Sequence, residues 1–212
     1  MSILKIKSME LGPIGTNAFL LWIEGERDAV LIDAPPNCHD EVSKNLDAED
    51  LNLKEIWLTH GHWDHMAGAH NLNSEDIAVI GHRDDKIMFE QPSIMSGFAV
   101  PGLEMKPIEI TRWVEHGEKL SFMGLEIEVR HCPGHCPGNV VFWFPSEKCC
   151  FVGDVIFRES VGRYDLPGGD FNKLENSIQQ QIYTLPSDTE LFPGHGPKTL
   201  VSHEMENNPF VR

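Results

Sequence analysis

Three histidines and one aspartate fall within the six positions from His60 to His65, in the stretch THGHWDHMAG. Imidazole nitrogen and carboxylate oxygen are ligands for a borderline divalent ion such as zinc. At the end of an extended strand, His60 and His62 point to the same side, while Asp64 and His65 sit where the chain turns into the next element. The spacing therefore fans four ligands into one space. A plain surface or core role has to account for four coordinating residues packed beside Gly61 and Gly68.

Three further ligand types lie in the second half: His135 in HCPGHCPG, Asp154 in FVGDV and His195 in FPGHGP. Each stands in or beside a glycine-containing turn that follows an apolar strand. Glycine there lets backbone approach a crowded centre, and ligands at strand ends from both halves could converge on one edge. Five histidines and two carboxylates exceed a single tetrahedral zinc site and suit two adjacent metal ions.

The elements that must carry these residues can be read from the same string. NAFLLWIEGERDAVLIDAP reads as a β-hairpin ending at Asp33, and EIWLTH as a strand from Glu55 to His60. Between them HDEVSKNLDAEDL has a helical period through Val42 and Leu46 and reads as a surface helix. In the second half KLSFMGLEIEVRHCPG predicts a hairpin around Met123 and Gly124, and NVVFWFPSEKCCFVGD another around Pro145 to Lys148. Asp170 is positioned to cap a helix with Phe171, Leu174, Ile178, Ile182 and Leu185 at helical spacing, before TELFPGHGP returns as a strand. Strand groups with outer helices in two successive halves predict two packed sheets with helices outside. No linker divides 1–212, which reads as one domain. The segment Lys86 to Pro107 is broken by prolines and glycines; it either closes one edge of the core or covers a pocket.

The 212 residues carry 17 basic and 33 acidic side chains, a formal charge of −16, with no long basic cluster. Nucleic acid and anionic membrane are poor partners for such a chain. No apolar run has signal-peptide or membrane-span length, so a cytoplasmic protein is expected. Five cysteines without a C-x-x-C pair read as reduced thiols, with Cys149 and Cys150 on opposite faces of a strand. His131 reads as a neighbour of the ligands, and His39, His70, His82, His116 and His203 as ordinary surface residues.

THGHWDH, the PGH at His135, the GD at Asp154 and the PGHG at His195 together resemble the metallo-β-lactamase superfamily over nearly the whole chain. HCPGHCPGNVVFWF, FVGDVIFRESVGRYDLPGGD and LFPGHGP look most like its glyoxalase II group, the hydroxyacylglutathione hydrolases. The resemblance implies an α/β fold, a four-layer αββα sandwich of the metallo-β-lactamase type. It makes His60, His62 and His135 ligands of a first metal, Asp64, His65 and His195 ligands of a second, and Asp154 the bridge. Asp33 matches a position that orients ligand imidazoles from behind; a simple turn residue is the other reading. Arg163 matches a position where a basic residue meets glutathione, with Tyr164 beside it, although a surface salt bridge competes for Arg163.

What the resemblance implies for activity is hydrolysis of a glutathione thioester such as S-D-lactoylglutathione by a metal-bridging hydroxide, with Asp64 orienting the nucleophile. The cofactors are two divalent ions, zinc first, with iron or manganese as alternatives. Two dications outweigh the charges of Asp64, Asp154 and one hydroxide, so the centre suits a small anionic thioester. With only a short stretch after PGHGP, the resemblance implies a short form, expected to work without the C-terminal helical domain of longer glyoxalase II enzymes. Persulfide dioxygenases, with one iron on His60, His135 and Asp154, are the alternative from another reaction class, and another thioester or ester the alternative within hydrolysis.

Overall fold

The first hairpin forms where two apolar runs meet around EGERD. β1 (Leu4–Leu11) and β2 (Thr16–Ile23) are antiparallel, as are β2 and β3 (Asp28–Ile32). β4 (Asn52–Trp57) and β5 (Ala78–His82) then add in parallel, and β6 (Arg112–Val114) completes a six-stranded sheet in sequence order. β1 lies outside the predicted strands; its apolar Leu4 and Ile6 alternate with Lys5 and Lys7, a short signal beside the stronger β2 run. Helix α1 (His39–Glu49) makes the β3–β4 crossover. Its first turn carries Asp40 and Glu41, and Asp50 closes it in the left-handed conformation by donating to Asp47 and Leu46.

The second sheet is built from β7 (Lys119–Phe122), β8 (Leu125–His131), β9 (Val140–Phe144), β10 (Cys149–Gly153), β13 (Glu190–Pro193) and β14 (Thr199–Leu200), in the order β14-β13-β10-β9-β8-β7. A short ribbon of β11 (Ile156–Phe157) and β12 (Ser160–Val161) follows β10. The β7–β8 turn is the expected one: Met123 and Gly124 have φ of 50° and 85°, the two-residue pattern that matches strand twist. Asp170 caps α2 (Phe171–Ser177) through its Oδ1, which accepts the Lys173 N–H at 3.2 Å, and a π-helical turn Ile178–Ile182 continues the helix. The last helix is Val201–Asn207.

The computed structural model describes residues 3–72, 74 and 76–211. It divides into one unit of residues up to Gly81 with Lys86–Trp113, and another of His82–Asp85 with residues from Val114 on. Each has its own core. In the first, Leu20, Leu31, Ile56, Leu58 and Phe89 are fully buried; in the second, Val141, Cys150, Val152, Leu174, Ile178 and Leu191 are. Each such aliphatic or aromatic side chain contributes roughly 1.5–3 kcal/mol on burial. The mixed α/β class with two sheets and helices is the expected one. Among the described residues no helix is long and apolar enough to cross a membrane.

Lys86–Glu90 is helical and Pro92–Phe98 forms 3₁₀ turns, with Met88, Phe89 and Met95 buried and Ile87, Ile94 and Phe98 outward. The segment thus closes an edge of the first core. All five cysteines are free and buried, including both Cys149 and Cys150. Desolvation pushes the thiols of Cys38 and Cys149 up to about 12. An unfolded thiol ionises from about pH 8.5, so only the unfolded chain releases these protons between there and about pH 12, and stability falls as pH rises through that window. Thermal melts at stepped alkaline pH should show the decline, and Ellman's reagent at pH 8 should find no fast thiol until the chain is unfolded.

Candidate metal centre

In the first unit β3 and β4 run parallel, so Asp33 and the His60 loop leave one edge of the sheet. Asp33 is 1% exposed, with φ of 59°. Its Oδ1 accepts the Thr59 N–H at 2.8 Å; its Oδ2 accepts the Thr59 hydroxyl at 2.8 Å and His65 Nδ1 at 2.7 Å. These bonds account for a difference from the expected strand. It stops at Trp57 rather than His60, because the Thr59 N–H is taken by a side chain instead of a neighbouring strand. Asp33 is therefore more than a turn residue.

The same bonds set tautomers. A carboxylate only accepts, so His65 Nδ1 carries the proton; the Thr59 hydroxyl proton is committed to Asp33, so Thr59 Oγ1 accepts from His60 Nδ1 at 3.0 Å. Both rings thereby keep the Nε2 lone pair that a metal ligand needs. The His60 ring lies 4.1 Å from that of His65 and 4.7 Å, edge-on, from that of His62. Asp64 Oδ2 accepts the Thr16 hydroxyl at 3.1 Å and stands 3.3 Å from His65 Nε2. All four predicted ligands of this unit are at most 6% exposed and stand as one group.

In the second unit β8 and β10 are each antiparallel to β9, and β10 is parallel to β13. The three strands consequently point the same way, and His135, Asp154 and His195 follow their ends. The Gly194 N–H donates to the Gly153 carbonyl at 2.8 Å, holding the last two loops together. His135 Nδ1 donates to the Arg163 carbonyl at 2.7 Å, which again leaves Nε2 as the ligand atom. That atom lies 3.5 Å from Asp154 Oδ2, and His195 Nε2 lies 3.6 Å from the same oxygen. Donors on one tetrahedral zinc stand roughly 3.4 Å apart, so these gaps fit shared ions. Gly162 permits the arrangement: a Cβ there would fall 1.8 Å from the Asp154 carbonyl oxygen.

Arg163 meets His135 through its backbone. Its guanidinium is on the surface, donating to both oxygens of Asp165 at 2.8 and 3.0 Å, and this pairing favours the charged form of each partner. Tyr164 is 43% exposed, its ring 4.9 Å from that of Phe171.

One expectation is overturned. His82 is not a surface residue but 5% exposed, stacked on His131 at 4.1 Å and 17°, with Asp84 within 3.9 Å of both. It ends β5, whose last four residues are all buried. Burial, then the neighbouring His131, holds its pKa below the usual value. The in-plane lone pairs of near-parallel rings lie in two planes that do not meet near the rings, which ill suits one shared ion. Thr16 and Thr59 support the site without having been singled out from the sequence; Thr59 alone has a signal there, its place before His60.

The family model for the metallo-β-lactamase superfamily matches residues 11–195. The hydroxyacylglutathione hydrolase GloC of Haemophilus influenzae is 35% identical over 199 residues, 92% of each chain. Among solved structures, BLEG-1 B3 metallo-β-lactamase is 32% identical with a TM-score of 0.90, over 98% of this chain and 99% of that one. The di-iron-bound form of TTHA1623 is 34% identical with a TM-score of 0.84, over 97% and 100%.

Proposed function

The chain belongs to the metallo-β-lactamase superfamily of metallo-hydrolases, and on that premise we propose that it cleaves a glutathione thioester such as S-D-lactoylglutathione. The metal ligands in this reading are His60, His62 and His135 for one ion, Asp64, His65 and His195 for the other, and Asp154 between them. The observation that carries it is the fixed tautomer of His60, His65 and His135, each donating through Nδ1 and keeping Nε2 for a metal. The substrate class follows the relative named a hydroxyacylglutathione hydrolase, alike over 92% of both chains.

Two divalent ions, when bound, supply a hydroxide near neutral pH and polarise the acyl carbonyl. Asp33 and Thr59 hold the His60 and His65 rings, and the Arg163 carbonyl holds His135. Asp64, steadied by Thr16, orients the proton of the attacking water. The leaving thiolate needs no strong acid. We assign zinc as the metal, with iron the first alternative because a relative 34% identical has a di-iron form. Five free thiols suit a reducing compartment, and we place the protein in the cytoplasm as a single functional domain.

The test is thiol release from S-D-lactoylglutathione, compared with a chromogenic cephalosporin because one solved relative is described as a β-lactamase, and with oxygen uptake on glutathione persulfide. Fast thiol release is expected. Turnover of either comparator without thiol release would move the protein to another reaction. Arg163→Ala is expected to raise KM roughly two- to tenfold with little change in kcat, since an exposed charge contributes modestly to binding; steady-state kinetics check it.

A further inference from the structure

His82–Asp85 groups with the second unit although both flanking segments belong to the first. Asp85 ends the 3₁₀ turn of that insert and is fully buried. Its Oδ1 accepts the Gly138 N–H at 2.6 Å, and its Oδ2 accepts the Cys136 thiol at 3.1 Å. A buried carboxylate is costly unless hydrogen-bonded, and these two donors help to meet that requirement. The donors lie one and three residues beyond His135. Gly138 fits only without a side chain, since a Cβ would fall 2.6 Å from Asp85 Cγ.

The rest of the His135 loop is fastened nearby. The Cys132 N–H donates to the Asn139 carbonyl at 2.8 Å, closing its base, and His131 Nε2 donates to the Pro137 carbonyl at 2.7 Å. On its other side the His135 ring is tied to the Arg163 carbonyl. Asp85 thus anchors the arm of the loop that leaves His135. The Cys136 thiol, fully buried, serves as a donor to this anchor.

We propose that Asp85 is a positioning residue for His135, its carboxylate fixing the Cys136–Gly138 backbone so that His135 Nε2 is aimed at its ion. This rests on the metal-centre reading above. It predicts a selective loss: the ion held by His60, His62 and His135 weakens, while the ion held by Asp64, His65 and His195 stays.

The test is chelator competition on Co²⁺-loaded protein, following metal retained and the cobalt absorption bands, with circular dichroism and melting as folding controls. Wild type should retain two ions. Asp85→Ala should lose affinity for one ion by roughly 10- to 100-fold, the usual cost of removing a supporting partner, and change the bands as His135→Ala does. Asp85→Asn, which keeps an acceptor for Gly138, should stay within about threefold. Asp84→Ala, next in sequence but exposed, should match wild type. If Asp85→Ala does not fold, Cys136→Ala removes one of the two bonds and should weaken the same ion by a smaller factor. A folded Asp85→Ala that holds both ions as wild type does, or loses both equally, overturns this inference alone. Wild type that binds no ions sinks the metal-centre reading and the inference with it.

Discussion

Asp154→Ala should lower kcat/KM for thiol release by about a thousandfold or more, a barrier increase of about 4 kcal/mol. The carboxylate is 7% exposed and is the group within 3.6 Å of both His135 Nε2 and His195 Nε2. Removing it leaves two imidazole lone pairs with no anion between them, and in the proposed reaction it separates both ions from their shared ligand. Asp154→Asn keeps the shape but drops the charge, so it should fall nearly as far. Kinetics with metal content and circular dichroism on the same samples check this. A well-folded Asp154→Ala within tenfold of wild type would contradict it.

Asp33→Ala should show the largest stability loss of the variants considered, about 3–5 kcal/mol, which for a chain of this size lowers Tm by roughly 10 °C. Asp33 accepts three hydrogen bonds in a buried site, two from Thr59 and one from His65. Alanine strands all three donors and also frees the rings of His65 and, through Thr59, His60. Metal affinity should drop roughly 10- to 100-fold as well. Scanning fluorimetry and chelator competition measure the two effects. A Tm within about 2 °C of wild type, with metal retained, would mean Asp33 is only a turn residue.

The residues behind these two effects differ in how far the sequence alone reveals them. His60, His62, Asp64 and His65 are legible because neither core packing nor surface solvation calls for four ligand residues crowded into one turn. The hairpins and α1 and α2 are legible because their signals are local: a two-residue turn at Met123 and Gly124, an aspartate before a helical period at Asp170. The end of β4 is not, since it is decided by Asp33, 26 positions from Thr59. The tautomers depend on the same distant bonds. Asp85 is silent because its partners lie 51 and 53 positions along the chain. The Arg163 side chain is matched by motif, yet the structure uses its carbonyl toward His135, a contact that any residue type could make.

The most direct measurement is metal content per chain by elemental analysis, taken on the same untagged sample that is assayed for thiol release from S-D-lactoylglutathione. Two divalent ions per chain are expected, with release that disappears when they are stripped and returns when they are restored. One iron per chain with oxygen uptake on glutathione persulfide and no thiol release would contradict it.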